Sequence, residues 1–123
     1  MPARLLFGFV AVLAAWSCTA SAPSSSAVGG PTQVKVLEPA DVNASSFVPT
    51  DVTVPKGATV EWFNNGKSFH TVTSNDPGRP FDIGLDPGQR ATVTFVVAGD
   101  FAYHCGVHPA MKGAVHVCDG QCA

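Results

Sequence analysis

From about Thr32 to Val117 the chain runs through short stretches in which apolar and polar residues alternate, cut by turn residues and free of helical periodicity. A period of two is what a strand needs when one of its faces is buried. Val34 and Val36 begin the series, with Phe47 after them. Val52 and Val54 alternate with Asp51 and Thr53, and Val60 and Trp62 alternate with Thr59 and Glu61. Then come His70, Val72 and Ser74, followed by Ala91, Val93 and Phe95 on one face, Phe101, Tyr103 and Cys105 on one face, and Val115 with Val117. Pro55-Lys56-Gly57, Asn64-Asn65-Gly66, Asp76-Pro77-Gly78, Asp86-Pro87-Gly88 and Gly99-Asp100 supply the turns. Many short strands at this spacing predict an all-β fold, an antiparallel β-sandwich. No internal repeat is visible.

At 123 residues the chain is a single domain with one modest core. Charged residues make up 13% and the net charge is −2, with no basic patch, which excludes nucleic acid as an obvious partner. The N-terminus reads as an export signal over residues 1–22: Arg4 precedes an apolar run from Leu5 to Ala15, too short to span a bilayer. Cleavage falls either after Ala20-Ser21-Ala22, where Pro23 is unfavourable, or before Cys18, with lipid added to that thiol. Residues 19–31 are almost wholly Ser, Ala, Gly, Thr and Pro, the composition of a flexible tether. The folded domain is expected over residues 32–118 and a short tail over 119–123.

Near the C-terminus Cys105, His108 and Met111 form C-x2-H-x2-M, and His70 sits upstream in Phe69-His70-Thr71-Val72. Taken singly, His70 reads as a strand histidine, Cys105 as a small buried apolar residue and Met111 as core filler. Together they supply one thiolate, two imidazoles and one thioether, with three of the four inside seven residues. Soft sulfur ligands favour Cu(I), imidazole suits both copper states, and three strong ligands with a weak axial sulfur make a type 1 copper site. Zinc rarely recruits a thioether. The chemistry implied is transfer of one electron, not enzymatic bond breaking. With Cys105 kept as a thiolate, Cys118 and Cys122 remain to pair, as a C-terminal disulfide or as an auxiliary thiol pair that handles copper.

The segment from roughly Phe47 to Val117 resembles a cupredoxin, a small Greek-key sandwich holding one type 1 copper ion. Phe101-Ala102-Tyr103-His104-Cys105 resembles the penultimate strand of that family running into its ligand loop, and Met111-Lys112-Gly113-Ala114-Val115-His116-Val117 resembles its closing strand. The two-residue gap between His108 and Met111 most resembles amicyanin, whereas plastocyanin-like loops place more residues there. The resemblance implies metal ligation by His70, Cys105, His108 and Met111, with Cys105 the source of blue colour, His108 the port for the electron and Met111 the axial ligand that tunes potential. Two departures bear on tuning. Val107 stands where the family often has Pro, so its N–H is expected to donate to the Cys105 sulfur and raise the reduction potential. Thr71 stands where Asn is frequent, and its hydroxyl is a candidate tie between the ligand loops. His104 and His116 should point outward, and His104 resembles the position of a second electron route in plastocyanin-like proteins.

The resemblance further implies transient redox protein partners, meeting a small apolar patch of Val107, Pro109 and Ala110 around His108, widened by Pro80 and Phe81. The chain is expected to act as a monomer in the periplasm or at the outer cell surface, touching a membrane only through a lipid on Cys18. Three rivals are weaker: a copper-handling protein using the same ligands, an enzyme with Cys105 as nucleophile and a histidine base, which leaves Met111 without a role, and a metal-free adhesive sandwich.

Overall fold

The computed structural model describes residues 30–122, so the export signal, Cys18 and most of the tether lie outside the described residues. Among the described residues nine strands follow one another: β1 (Thr32–Leu37), β2 (Ser46–Val48), β3 (Asp51–Pro55), β4 (Thr59–Asn64), β5 (His70–Ser74), β6 (Asp82–Leu85), β7 (Arg90–Thr94), β8 (Gly99–His104) and β9 (Lys112–Cys118). The one helical element among the described residues is a single 3-10 turn, Val42–Ala44, in which the Asn43 N–H is capped by the Asp41 carboxylate. A four-stranded sheet in the order β2-β1-β4-β7 faces a five-stranded sheet in the order β3-β9-β8-β5-β6.

The sandwich expected from the alternation is present, with mixed sheets. β1 runs parallel to β4 and β3 parallel to β9, while the other pairs are antiparallel. A half-buried strand alternates in the same way whichever direction its neighbour runs. Each parallel pair therefore belongs to the long crossovers of the topology and leaves no mark in the local pattern.

The inward faces meet as the alternation requires. Val34, Val36, Val60 and Trp62 from one sheet pack with Val52, Val54, Val72, Leu85, Tyr103, Val115 and Val117 from the other, all buried. Trp62 stands edge-on to Tyr103 with ring centroids 5.4 Å apart, and Phe47 meets Tyr103 at 4.9 Å. Both are the offset geometries that aromatic quadrupoles favour. Directly across the ladder from Tyr103 is Gly113. A Cβ at Gly113 would run into the Tyr103 ring and come within 2.9 Å of the Thr50 carbonyl oxygen, so β9 needs a glycine here to let the ring lie over its backbone.

Asn64 departs from its expected role. Asn64-Asn65-Gly66 reads as a turn, yet Asn64 is the last residue of β4 and fully buried. Its amide donates to the carbonyls of Ser68 (2.8 Å) and Leu85 (2.9 Å), and its Oδ1 accepts the Gly66 N–H (2.9 Å). The residue thus braces from inside the loop that leads to His70, and all its buried polar atoms are paired. At the C-terminus Cys118 and Cys122 form a disulfide, the first of the two arrangements left open for these thiols.

Candidate metal centre

His70 is the first residue of β5, register-paired with Leu85 of β6 and fully buried. Cys105 lies one residue beyond β8, at the end of the inward series Tyr103, Cys105, and is also fully buried. The loop from Cys105 to Met111 closes on itself: the Cys105 N–H donates to the Met111 carbonyl (3.0 Å), and the Met111 N–H donates to the His108 carbonyl (2.8 Å). The short loop between β8 and β9 thereby returns to its start and aims His108 back at Cys105. Met111 is buried immediately before β9, while His108 is half-buried and flanked by exposed Val107, Pro109 and Ala110.

The ligand atoms converge. Cys105 Sγ is 3.8 Å from His70 Nδ1 and 3.9 Å from His108 Nδ1, and the two Nδ1 atoms are 3.2 Å apart. All three lie within 4.8 Å of one another. Glu38, the residue after β1, explains the orientation of His70. Its Oε2 is 3.1 Å from His70 Nε2 and also accepts the N–H groups of Lys67 (3.0 Å) and Ser68 (2.9 Å), while its Oε1 accepts the Ser68 hydroxyl (3.1 Å). The His70 contact, followed by the Ser68 amide, holds the Glu38 carboxyl well below its usual range, at about 2. An ionised carboxylate only accepts, so the His70 nitrogen facing Glu38, Nε2, is the one that donates, and Nδ1 is the nitrogen turned toward Cys105 and His108. At 3.2 Å the two Nδ1 atoms need an electropositive centre between them, a proton or a metal ion. One thiolate and two imidazoles suit copper.

The sulfur receives one backbone hydrogen bond among the described residues, and its donor is the Thr71 N–H at 3.3 Å. The expected donation from Val107 is corrected: its N–H makes no bond to Cys105 Sγ. Thr71 follows His70 on β5, across from Cys105, whereas the tight loop carries Val107 outward with 51% of its surface exposed. The hydroxyl of Thr71 is the tie between ligand segments. It accepts the Gly106 N–H (2.7 Å) and bonds to the Thr73 hydroxyl (2.9 Å), which donates to Asp82 (2.9 Å).

A second correction concerns the surface. Pro80 is exposed, but Phe81 is buried, stacked near Trp62 with centroids 6.1 Å apart. Phe81 precedes β6, whose other end carries Leu85 beside His70, so it lies a full strand length from the centre at roughly 3.3 Å per residue. The exposed aromatic next to the centre is Phe69, 45% exposed and packed over Gly84. His104 and His116 face away from the core, held by Asn75 and by Asp100 (2.7 Å) respectively. The residue that sequence reasoning missed is Glu38. It lies 32 residues upstream of His70, next to a strand of the other sheet, and no local spacing links the two.

A cupredoxin-like domain model matches residues 8–117. The chain belongs to the cupredoxin-like family. It is 30% identical over 90 residues to the plastocyanin of Scenedesmus fuscus, covering 63% of this chain and 92% of that protein. It spans about half the length, 54%, of the chloroplastic plastocyanins of Chlamydomonas reinhardtii and Tetradesmus obliquus. Among solved structures, a purple cupredoxin from Nitrosopumilus maritimus superposes with a TM-score of 0.64 at 26% identity, over 71% of this chain and 99% of that one. A point mutant of amicyanin in its reduced state gives 0.61 at 26% identity, over 72% and 82%. The expected resemblance to cupredoxins of the amicyanin and plastocyanin kind is thus found.

Proposed function

We propose that this chain is an exported one-electron carrier in which His70, Cys105, His108 and Met111 would hold a copper ion. The observation that carries the reading is the convergence of Cys105 Sγ with two imidazole Nδ1 atoms, in a pocket where the His70 ring is already turned by Glu38. Bound there, copper supplies a Cu(II)/Cu(I) couple.

The chain's own part is to hold the ligands still. His70 is pinned by a carboxylate, Cys105 by the Met111 carbonyl and the Thr71 N–H, and the loop by its internal hydrogen bonds. A ligand set that moves little between oxidation states keeps the barrier to electron transfer small. His108 is the one ligand with an exposed edge, which makes it the port. Phe69 and Val107, about half exposed, join Pro109 and Ala110 as the apolar patch for a transient redox partner. The apolar run at Leu5–Ala15 and the Ser/Ala/Gly tether support delivery outside the cytoplasm, by cleavage after Ala22 or by lipid on Cys18.

The test is a visible spectrum of the domain after addition of Cu(II). An intense blue or purple thiolate-to-copper band, bleached by a mild reductant and absent in Cys105→Ser, is expected. A colourless protein that slowly oxidises its thiol refutes the carrier reading.

A further inference from the structure

Glu38 belongs to no motif, yet both of its carboxylate oxygens are engaged at the centre. It stands one residue past the end of β1, in the sheet opposite the one that carries His70. Its side chain is 11% exposed and that of His70 is 0% exposed, so the contact between them is shielded from water. The two oxygens together receive the Lys67 and Ser68 amides, the Ser68 hydroxyl and the His70 ring. The loop is shaped around this carboxylate: a Cβ at Gly66 would collide with the Glu38 side chain, approaching its Cβ to 2.9 Å. One residue from the first sheet thus fastens the loop between β4 and β5 and turns the first imidazole of the centre.

The geometry points to Glu38 as a positioning residue that fixes the tautomer and angle of His70 and, through its negative charge, favours oxidised over reduced copper. The inference rests on the copper reading above for its redox half, and on the contacts alone for its tautomer half. A carboxylate accepting from the outer nitrogen of a ligand imidazole makes the inner nitrogen a stronger donor, and the more highly charged metal state gains most from it. A partner of this kind is worth about 10–100-fold in metal affinity. A tenfold loss confined to the oxidised state converts to about 59 mV of higher potential for a one-electron couple.

Two measurements separate the halves. In metal-free wild-type protein, nitrogen-15 NMR of the His70 ring should show the proton on Nε2 and none on Nδ1; a proton on Nδ1 overturns the assignment, whatever copper does. In the copper-loaded protein, Glu38→Gln keeps the size and removes the charge. It should bind Cu(II) at least about tenfold more weakly in competition with a chelator, with a higher midpoint potential. Glu38→Asp keeps the charge at shorter reach and should leave the potential closer to wild type than Gln does. A blue wild type with an unchanged potential in Glu38→Gln overturns the role given to Glu38. A wild type that takes no copper refutes the carrier reading and the redox half with it, leaving the NMR result to decide the tautomer. Should Glu38→Gln fail to fold, the potential of the Asp variant and the wild-type NMR spectrum still decide between the two outcomes.

Discussion

Replacing Tyr103 by Phe tests the packing beneath the candidate metal centre without touching a candidate ligand. The ring is fully buried between Trp62, Phe47 and Gly113, and its hydroxyl is buried without a hydrogen-bond partner among the described residues. Burial pushes the Tyr103 hydroxyl up to about 12 from an ordinary 10.0. The nearby Trp62 N–H pulls it slightly back without reaching hydrogen-bond geometry. The folded state therefore keeps a proton that the unfolded chain releases above about pH 10, and the stability that Tyr103 contributes is complete below about pH 10 and lost as pH rises through about 12. At about 1.4 kcal/mol per pH unit, the loss across that window is about 2–3 kcal/mol. Near neutral pH, removing an unpaired buried hydroxyl should leave stability unchanged or raise it by about 1 kcal/mol, or roughly 4–8 °C in Tm for a domain of this size. Because Tyr103 is the chain's one tyrosine, tyrosinate absorbance reports it alone, and urea unfolding at several pH values gives the energies. Titration of the folded protein near its ordinary value would refute the burial argument. A loss above about 1 kcal/mol in Tyr103→Phe at neutral pH would show that the hydroxyl does have a partner.

Further outcomes are expected on the same grounds. Val107→Pro should leave the reduction potential unchanged, since Thr71 supplies the backbone donor to the Cys105 sulfur; voltammetry showing a lowered potential would return that role to Val107. Gly113→Ala places a methyl against the Tyr103 ring and the Thr50 carbonyl and should cost about 1–3 kcal/mol in denaturant unfolding, with the ligand loop otherwise able to take up copper. An undiminished midpoint would mean that the strand shifts freely at this position.

Some of this protein is written in local order. The alternation of small apolar residues sets which face of each strand turns inward, because successive side chains on a strand point to opposite sides. C-x2-H-x2-M places a thiolate, an imidazole and a thioether in one short loop, because a loop that closes on itself must bring its own residues together. Other features exist only between segments. The parallel pairing of β1 with β4 leaves no trace in either strand's pattern. Alternation places Phe81 inside or outside but not at one end of the sandwich, so only the register of β6 shows it to be a strand length from His70. The donor to the Cys105 sulfur is Thr71, 34 residues away, and not the nearby loop residue Val107. Glu38 has no chemistry of its own until the two sheets close and bring it to His70. The local pattern supplied the candidate ligands, and the packing of one sheet on the other decided how they are held, because an electrostatic contact depends on distance in space and not on separation along the chain.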